Sequence, residues 1–165
     1  MTSIYGLAPK EFDVSRTKGP LTIRPLIDSD RAEWGRLWTG YLEFYKTSLP
    51  QAQYDLTFSR FLDPTEPMFG YVAVHAGKSK GLVHIIMHRS SGLSGPACYL
   101  QDLYVDPDAR GTQMGRALIE HVDHVVKQAG GTKVHWVTHE TNTTARRLYD
   151  RLAENGGFIQ YTQKL

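Results

Sequence analysis

The stretch that most restricts what this chain can fold into is residues 97–129, ACYLQDLYVDPDARGTQMGRALIEHVDHVVKQA. It opens as an aromatic and β-branched run, turns at Pro107 and two glycines, and continues with Met114, Leu118, Val122, Val125 and Ala129 on one helical face. Gly130-Gly131 suits a left-handed cap, and KVHWVTHE then resumes a strand, which makes the whole a βαβ crossover. The amides of residues 110–116 would stand at the positive end of the helix dipole and converge on an anion, with Arg110 and Arg116 adding charge. No Gly-Lys-Ser/Thr ending and no G-x-G-x-x-G is present, which disfavours nucleoside triphosphates and dinucleotides and leaves a pyrophosphate-bearing cofactor.

The remaining elements follow from periodicity. LTIRPL alternates like a half-buried strand, and Asp30 with Glu33 has capping-box spacing. Trp34, Leu37, Trp38, Tyr41, Leu42 and Tyr45 then share a helix face that Pro50 ends. A shorter helix is expected around Ala52 to Leu62, stopped by Asp63-Pro64. FGYVAVHAG, KGLVHIIMHRS and ACYLQDLYVD read as three strands in series, an antiparallel meander. After the crossover come a helix through NTTARRLYDRLA and a last strand in GGFIQYTQKL. The order β-α-α-β-β-β-α-β-α-β implies an α+β or mixed α/β class around one sheet. Residues 1–20 lack a sustained period and read as an N-terminal arm, in which Ile4, Tyr5, Leu7 and Phe12 are available to dock; residues 21–165 form a single domain.

Gross composition narrows the functional classes. A net charge of +2 is too small to drive binding through phosphate neutralisation, so no nucleic-acid partner is expected. One cysteine, Cys98, makes no internal disulfide, no apolar run is long enough to span a bilayer, and no secretory leader is legible. The expectation is a cytoplasmic domain that does not enter membranes, with no metal site.

YLQDLYVDPDARGTQMGRALIE followed by VHWVTHETNTTARRLYDRL resembles the GNAT superfamily of acetyl-CoA-dependent N-acetyltransferases, closest to the Hpa-type histone and polyamine acetyltransferase group. Trp136, Thr138, Glu140, Asn142, Ala145, Leu148 and Tyr149 match that group's W-x-T-x-E-x-N-x-x-A-x-x-L-Y pattern. The resemblance implies a mostly antiparallel mixed sheet of six to seven strands, flanked by about four helices and splayed between the fourth and fifth strands. It also implies acetyl-CoA as the acyl donor, direct attack by a primary amine, and a homodimer or tetramer. Two positions depart from the pattern: Gln113 stands where the middle glycine of the turn is usual, and Gln101 where many relatives carry glutamate.

The same resemblance implies roles. The backbone of Leu103, Tyr104 and Val105 would bond the pantetheine arm, the Leu103 amide also polarising the thioester carbonyl. Arg110, Gly111, Thr112, Gln113, Met114, Gly115 and Arg116 would hold the pyrophosphate. Asn142 would bond the cofactor arm beyond the splay, and Tyr149 would reach the cofactor sulfur as general acid. Asp102 is the carboxylate nearest the position of the absent glutamate and is taken as base, although strand alternation turns it to the opposite face unless a bulge intervenes. Glu140, His139, His84 or a water chain are the alternatives. Trp38, Tyr41, Gln101 and Glu140 are candidates for the acceptor wall, with Trp34, Phe44, Tyr45, Glu33, Glu43, Asp55, Asp63 and Glu66 as further aromatic or acidic contributors. The competing reading, favoured by the two glutamines, is a non-catalytic acyl-CoA-binding module.

Overall fold

The computed structural model describes residues 9–165. The docking residues Ile4, Tyr5 and Leu7 lie outside this range. The chain builds a six-stranded sheet in sequence order: β1 (Arg16–Lys18), β2 (Leu21–Pro25), β3 (Met68–His75), β4 (Lys78–His88), β5 (Ala97–Val105) and β6 (Lys133–His135). Every neighbouring pair is antiparallel except β5 and β6, which the crossover makes parallel. Helices α1 (Arg31–Phe44) and α2 (Gln51–Leu62) cover one face, α3 (Met114–Gln128) covers the other, and α4 (Thr143–Tyr149) follows β6.

The helix boundaries have local causes. Pro50, extended at φ −67° and ψ 155°, separates α1 from α2, and Asp63, extended before Pro64, ends α2. Gly130 at φ +75° closes α3: the Gly131 amide donates to the Val126 carbonyl and the Gly130 amide to Lys127. The Asp30 side chain does not form the expected capping box. It accepts from the Ile27 amide at 2.9 Å and from both Arg24 terminal nitrogens at 2.6 and 2.8 Å, because a buried carboxylate gains more from a forked guanidinium than from an exposed helix end.

Two cores result. Trp34, Leu37, Trp38 and Phe58 pack under α1 and α2 against Val72 and Leu82, while Leu118, Val122 and Val125 of α3 pack on Tyr71, Val83 and Ile85. The described part of the 1–20 segment joins the second core. Phe12 is 2% exposed, stacks on Phe69 at 3.9 Å and receives the Tyr71 hydroxyl on its carbonyl, and β1 extends the sheet where the sequence showed no strand period.

The carboxy-terminal end also departs from expectation. The strand expected over KVHWVTHE is confined to Lys133–His135, and no strand forms over 156–165. Phe158, Ile159, Tyr161 and Leu165 are exposed there, so strand-forming residues alone do not make a strand without a neighbour to receive their backbone groups.

Two irregularities in β5 set up the site. The β5–β6 register runs from Ala97↔Lys133 to Tyr99↔His135 and stops, so residues 100–105 have no partner on the β6 side. Against β4, Asp102 faces His84 and Leu100 faces Ile85, which leaves Gln101 as an extra residue, a β-bulge.

Candidate active site

The turn ahead of α3 has the backbone that an anion site requires. Gly111 (φ +80°) and Gln113 (φ +63°, ψ 13°) are both left-handed, and Gln113 is the N-cap of a fifteen-residue helix whose first-turn amides precede any intrahelical acceptor. Gln113 adopts the angle that suits glycine, at a cost of about 1 kcal/mol, and its side chain is exposed. Thr112 donates its hydroxyl to the Ala109 carbonyl at 2.6 Å, and Arg110 donates to the Val105 carbonyl at 3.3 Å. Arg116 pairs with Glu120 at 2.7 Å on an exposed face. The preceding loop is anchored by Asp106, which accepts from Arg36 of α1 at 3.0 Å, and by the Lys80–Asp108 pair at 2.6 Å. These residues fit a diphosphate: the left-handed Gly111 and Gln113 lead the chain into a helix N-terminus whose first amides are free to donate, and the helix dipole supplies the sign.

Below the splay lies a cleft of about 380 Å³, walled by Tyr41 of α1 and Tyr45 just past its end, Tyr99, Gln101 and Asp102 of β5, residues 137–140, and Gln160 of the tail. Asp102 and Glu140 supply two carboxylates, and the lining contains no lysine or arginine. The bulge explains Asp102. It turns this side chain from the α3 core to the α1 side, where it meets His84 at 2.8 Å, while Leu100 and Leu103 remain with the α3 core. Burial, then the Asp102 charge and a hydrogen bond to it, hold the Tyr41 phenol above its ordinary range.

The expected site residues divide between these places. Tyr41, Gln101, Asp102, His139 and Glu140 meet in the cleft. Trp38 does not: it is 6% exposed, packed between Trp34 and Tyr54, and belongs to the core. Glu33 pairs with Arg36 and Asp55 with Arg31, away from the cleft lining. Leu103 and Val105 direct their side chains to the α3 core and Tyr104 to the α1 core, so a ligand in the splay meets their main chain. Asn142 caps α4, accepting from the Ala145 amide at 3.4 Å and donating to Thr138 at 3.2 Å. Tyr149 packs edge-on against Trp136 at 5.4 Å, and burial with the neighbouring Tyr45 pushes its phenol up to about 12. Sequence reading missed Tyr99, whose place in the cleft follows from the register of β5, and Gln160, which no local pattern marks.

A parallel strand pair that parts midway thus lies beside the N-terminus of a long helix. The model of the Acetyltransferase (GNAT) family matches residues 34–153. The chain belongs to the GNAT acetyltransferase family. It is 34% identical over 143 residues to the D-amino-acid N-acetyltransferase HPA3 of Saccharomyces cerevisiae, covering 86% of this chain and 89% of that one. Among solved structures, the ribosomal-protein-alanine N-acetyltransferase of Brucella melitensis biovar Abortus 2308 superposes with a TM-score of 0.74 at 19% identity, covering 88% of this chain and 99% of that chain. AAC(6')-Iy in complex with the bisubstrate analogue CoA-S-monomethyl-acetylneamine superposes with a TM-score of 0.76 at 17% identity, over 88% and 98% of the two chains. Within this GNAT chain the expected splay between the fourth and fifth strands is the β5–β6 divergence, shifted by one in number because β1 precedes it.

Proposed function

We propose that this acetyltransferase moves the acetyl group of acetyl-CoA to a primary amine, in a ternary complex, by direct attack of the amine nitrogen on the thioester carbonyl. The observation that carries the reading is the position of the unpaired β5 edge between the anion-receiving turn and the acidic cleft. The amides of residues 111–116, with Arg110 and Arg116, hold the diphosphate; the main chain of Leu103, Tyr104 and Val105 holds the pantetheine arm. Asn142, whose side-chain oxygen caps α4 and which gives one amide hydrogen to Thr138, has a second N–H to bond the cofactor arm beyond the splay. The bound coenzyme supplies an activated acyl carbon.

The chain's own residues supply the proton and charge management. The Leu103 amide donates to the carbonyl oxygen as charge develops there. Asp102 accepts the proton lost by the nitrogen, and Tyr149, with its phenol held protonated, donates to the sulfur as the C–S bond breaks. In the cleft, Asp102 and Glu140 attract an ammonium, and Tyr41, Tyr45 and Tyr99 offer aromatic faces to it. Acceptors of this kind are a polyamine, a lysine side chain or a small amino compound such as the D-amino acids named for the yeast relative. We further propose a cytoplasmic homodimer, with a tetramer as the alternative, in which the exposed apolar tail is covered by a second copy; sedimentation velocity tests it.

The test is thiol release over a panel of D-amino acids, diamines and lysine peptides. Turnover of one class supports the reading, and absence of turnover on all classes with CoA bound in calorimetry supports the non-catalytic module instead. That second reading draws on the exposed Gln101 and on the left-handed Gln113.

A further inference from the structure

His84 lies on β4, 2% exposed, among the rings of Trp34, Trp38 and Phe61. Its two nitrogens have different neighbours. The Trp34 indole, which can only donate, gives its N–H to Nε2 at 2.8 Å. Nε2 is therefore the bare nitrogen, and the ring proton sits on Nδ1, which donates to the Asp102 carboxylate at 2.8 Å. Donation runs one way, from indole to imidazole to carboxylate, and Tyr41 lines the cleft beside Asp102.

A polar pair in an aromatic core costs desolvation that apolar residues of the same volume would avoid. Here the pair ends on a carboxylate that reaches the acceptor cleft, and the bulge at Gln101 turns it there. We infer that His84 is a positioning residue for Asp102, and that Trp34 fixes the imidazole tautomer that lets it act so. The inference rests on the reading of Asp102 as the proton acceptor. His84 touches neither substrate nor coenzyme; it fixes the rotamer of the carboxylate and keeps one oxygen satisfied while the other meets the incoming ammonium. The indole occupies Nε2, so a proton taken from the amine stays on Asp102 and is not handed inward.

Two measurements test this. Nitrogen-15 NMR of the unaltered chain, read without substrate at neutral pH, is expected to show His84 as the Nδ1–H tautomer; the Nε2–H tautomer overturns the inference. In kinetics, His84→Leu is expected to lower kcat by about 10-fold to 100-fold, with KM for acetyl-CoA within about twofold. His84→Gln, whose carbonyl can accept from Trp34 and whose amide can donate to Asp102, is expected to recover most of that loss. Combined with Asp102→Asn, His84→Leu should add little further loss, because both act at one carboxylate. Equal rates for the Leu and Gln variants, or fully additive losses, overturn the inference. Should His84→Leu fail to fold, the tautomer and the Gln variant still decide. Absence of turnover by the unaltered chain on every amine defeats the acetyl-transfer reading instead, and the two failures are distinguishable because the tautomer is read with no substrate.

Discussion

Asp102 faces His84 at 2.8 Å because β5 carries one more residue than β4 between Leu100 and Asp102. Were Gln101 paired in the ladder and not bulged, strand alternation would put Asp102 on the face of Leu100, in the apolar core beneath α3, where an unpaired carboxylate is costly. One bulge thus brings a carboxylate to the cleft lined by Tyr41 and Glu140 while keeping Leu103 packed on the opposite face.

Tyr149→Phe is expected to lower kcat by about 100-fold while leaving CoA affinity within about twofold. Burial first, and Tyr45 second, push the Tyr149 phenol up to about 12, so the proton remains available throughout the neutral and mildly alkaline range. No fall of kcat attributable to Tyr149 should occur until pH approaches about 12. Steady-state rates from pH 7 upward, together with calorimetry for CoA, check both statements.

Gln113→Gly is expected to raise stability by up to about 1 kcal/mol, because it relieves a left-handed conformation at φ +63° while loosening the unfolded chain somewhat. Gln113→Val should destabilise the turn and weaken CoA binding, since a β-branched residue is strained at that angle. Thermal denaturation and calorimetry of the two variants give the sign.

Removing Arg110 and Arg116 together, as Ala, is expected to weaken CoA binding by about tenfold at low salt, with a smaller difference at high salt. Both guanidinium groups are exposed, so their contribution to the unliganded fold is small, and the melting temperature should barely move. Titration of CoA at two ionic strengths measures the effect.

His121 tests acid stability. It is fully buried in α3 against the Tyr71 ring at 4.7 Å, and neither ring nitrogen has a hydrogen-bond partner among the described residues. Burial, then Arg16 and His124, push its pKa down to about 4, below its ordinary value of 6.5. The unfolded chain therefore binds a proton that the folded chain refuses between those values. The stabilisation from this ring is complete above about pH 6.5, falls as pH drops, and levels off below about pH 4, a loss of about 3 kcal/mol across the window. His121→Phe should flatten this part of the stability profile, as read by denaturant melts at several pH values.

The chain's periodicities determined much of this molecule by themselves. The helical stripes of Trp34 to Leu42 and Met114 to Val125 and the meander of β3, β4 and β5 are each legible locally, because burial of one face imposes a fixed spacing. The turn at residues 110–116 is legible for the same reason: a strand feeding a helix needs left-handed residues, and Gly111 announces one, although only the folded backbone reveals the second at Gln113. The tertiary structure decided what depends on neighbours. Strand β1 exists because β2 offers an edge, the tail at 156–165 remains irregular because no strand lies beside it, and Trp38 went to the core because α2 brings Tyr54 against it. The orientation of Asp102 and the tautomer of His84 belong to this second kind. Both arise from the register between two strands and from an indole fifty positions away in sequence, and no local pattern encodes a contact of that range.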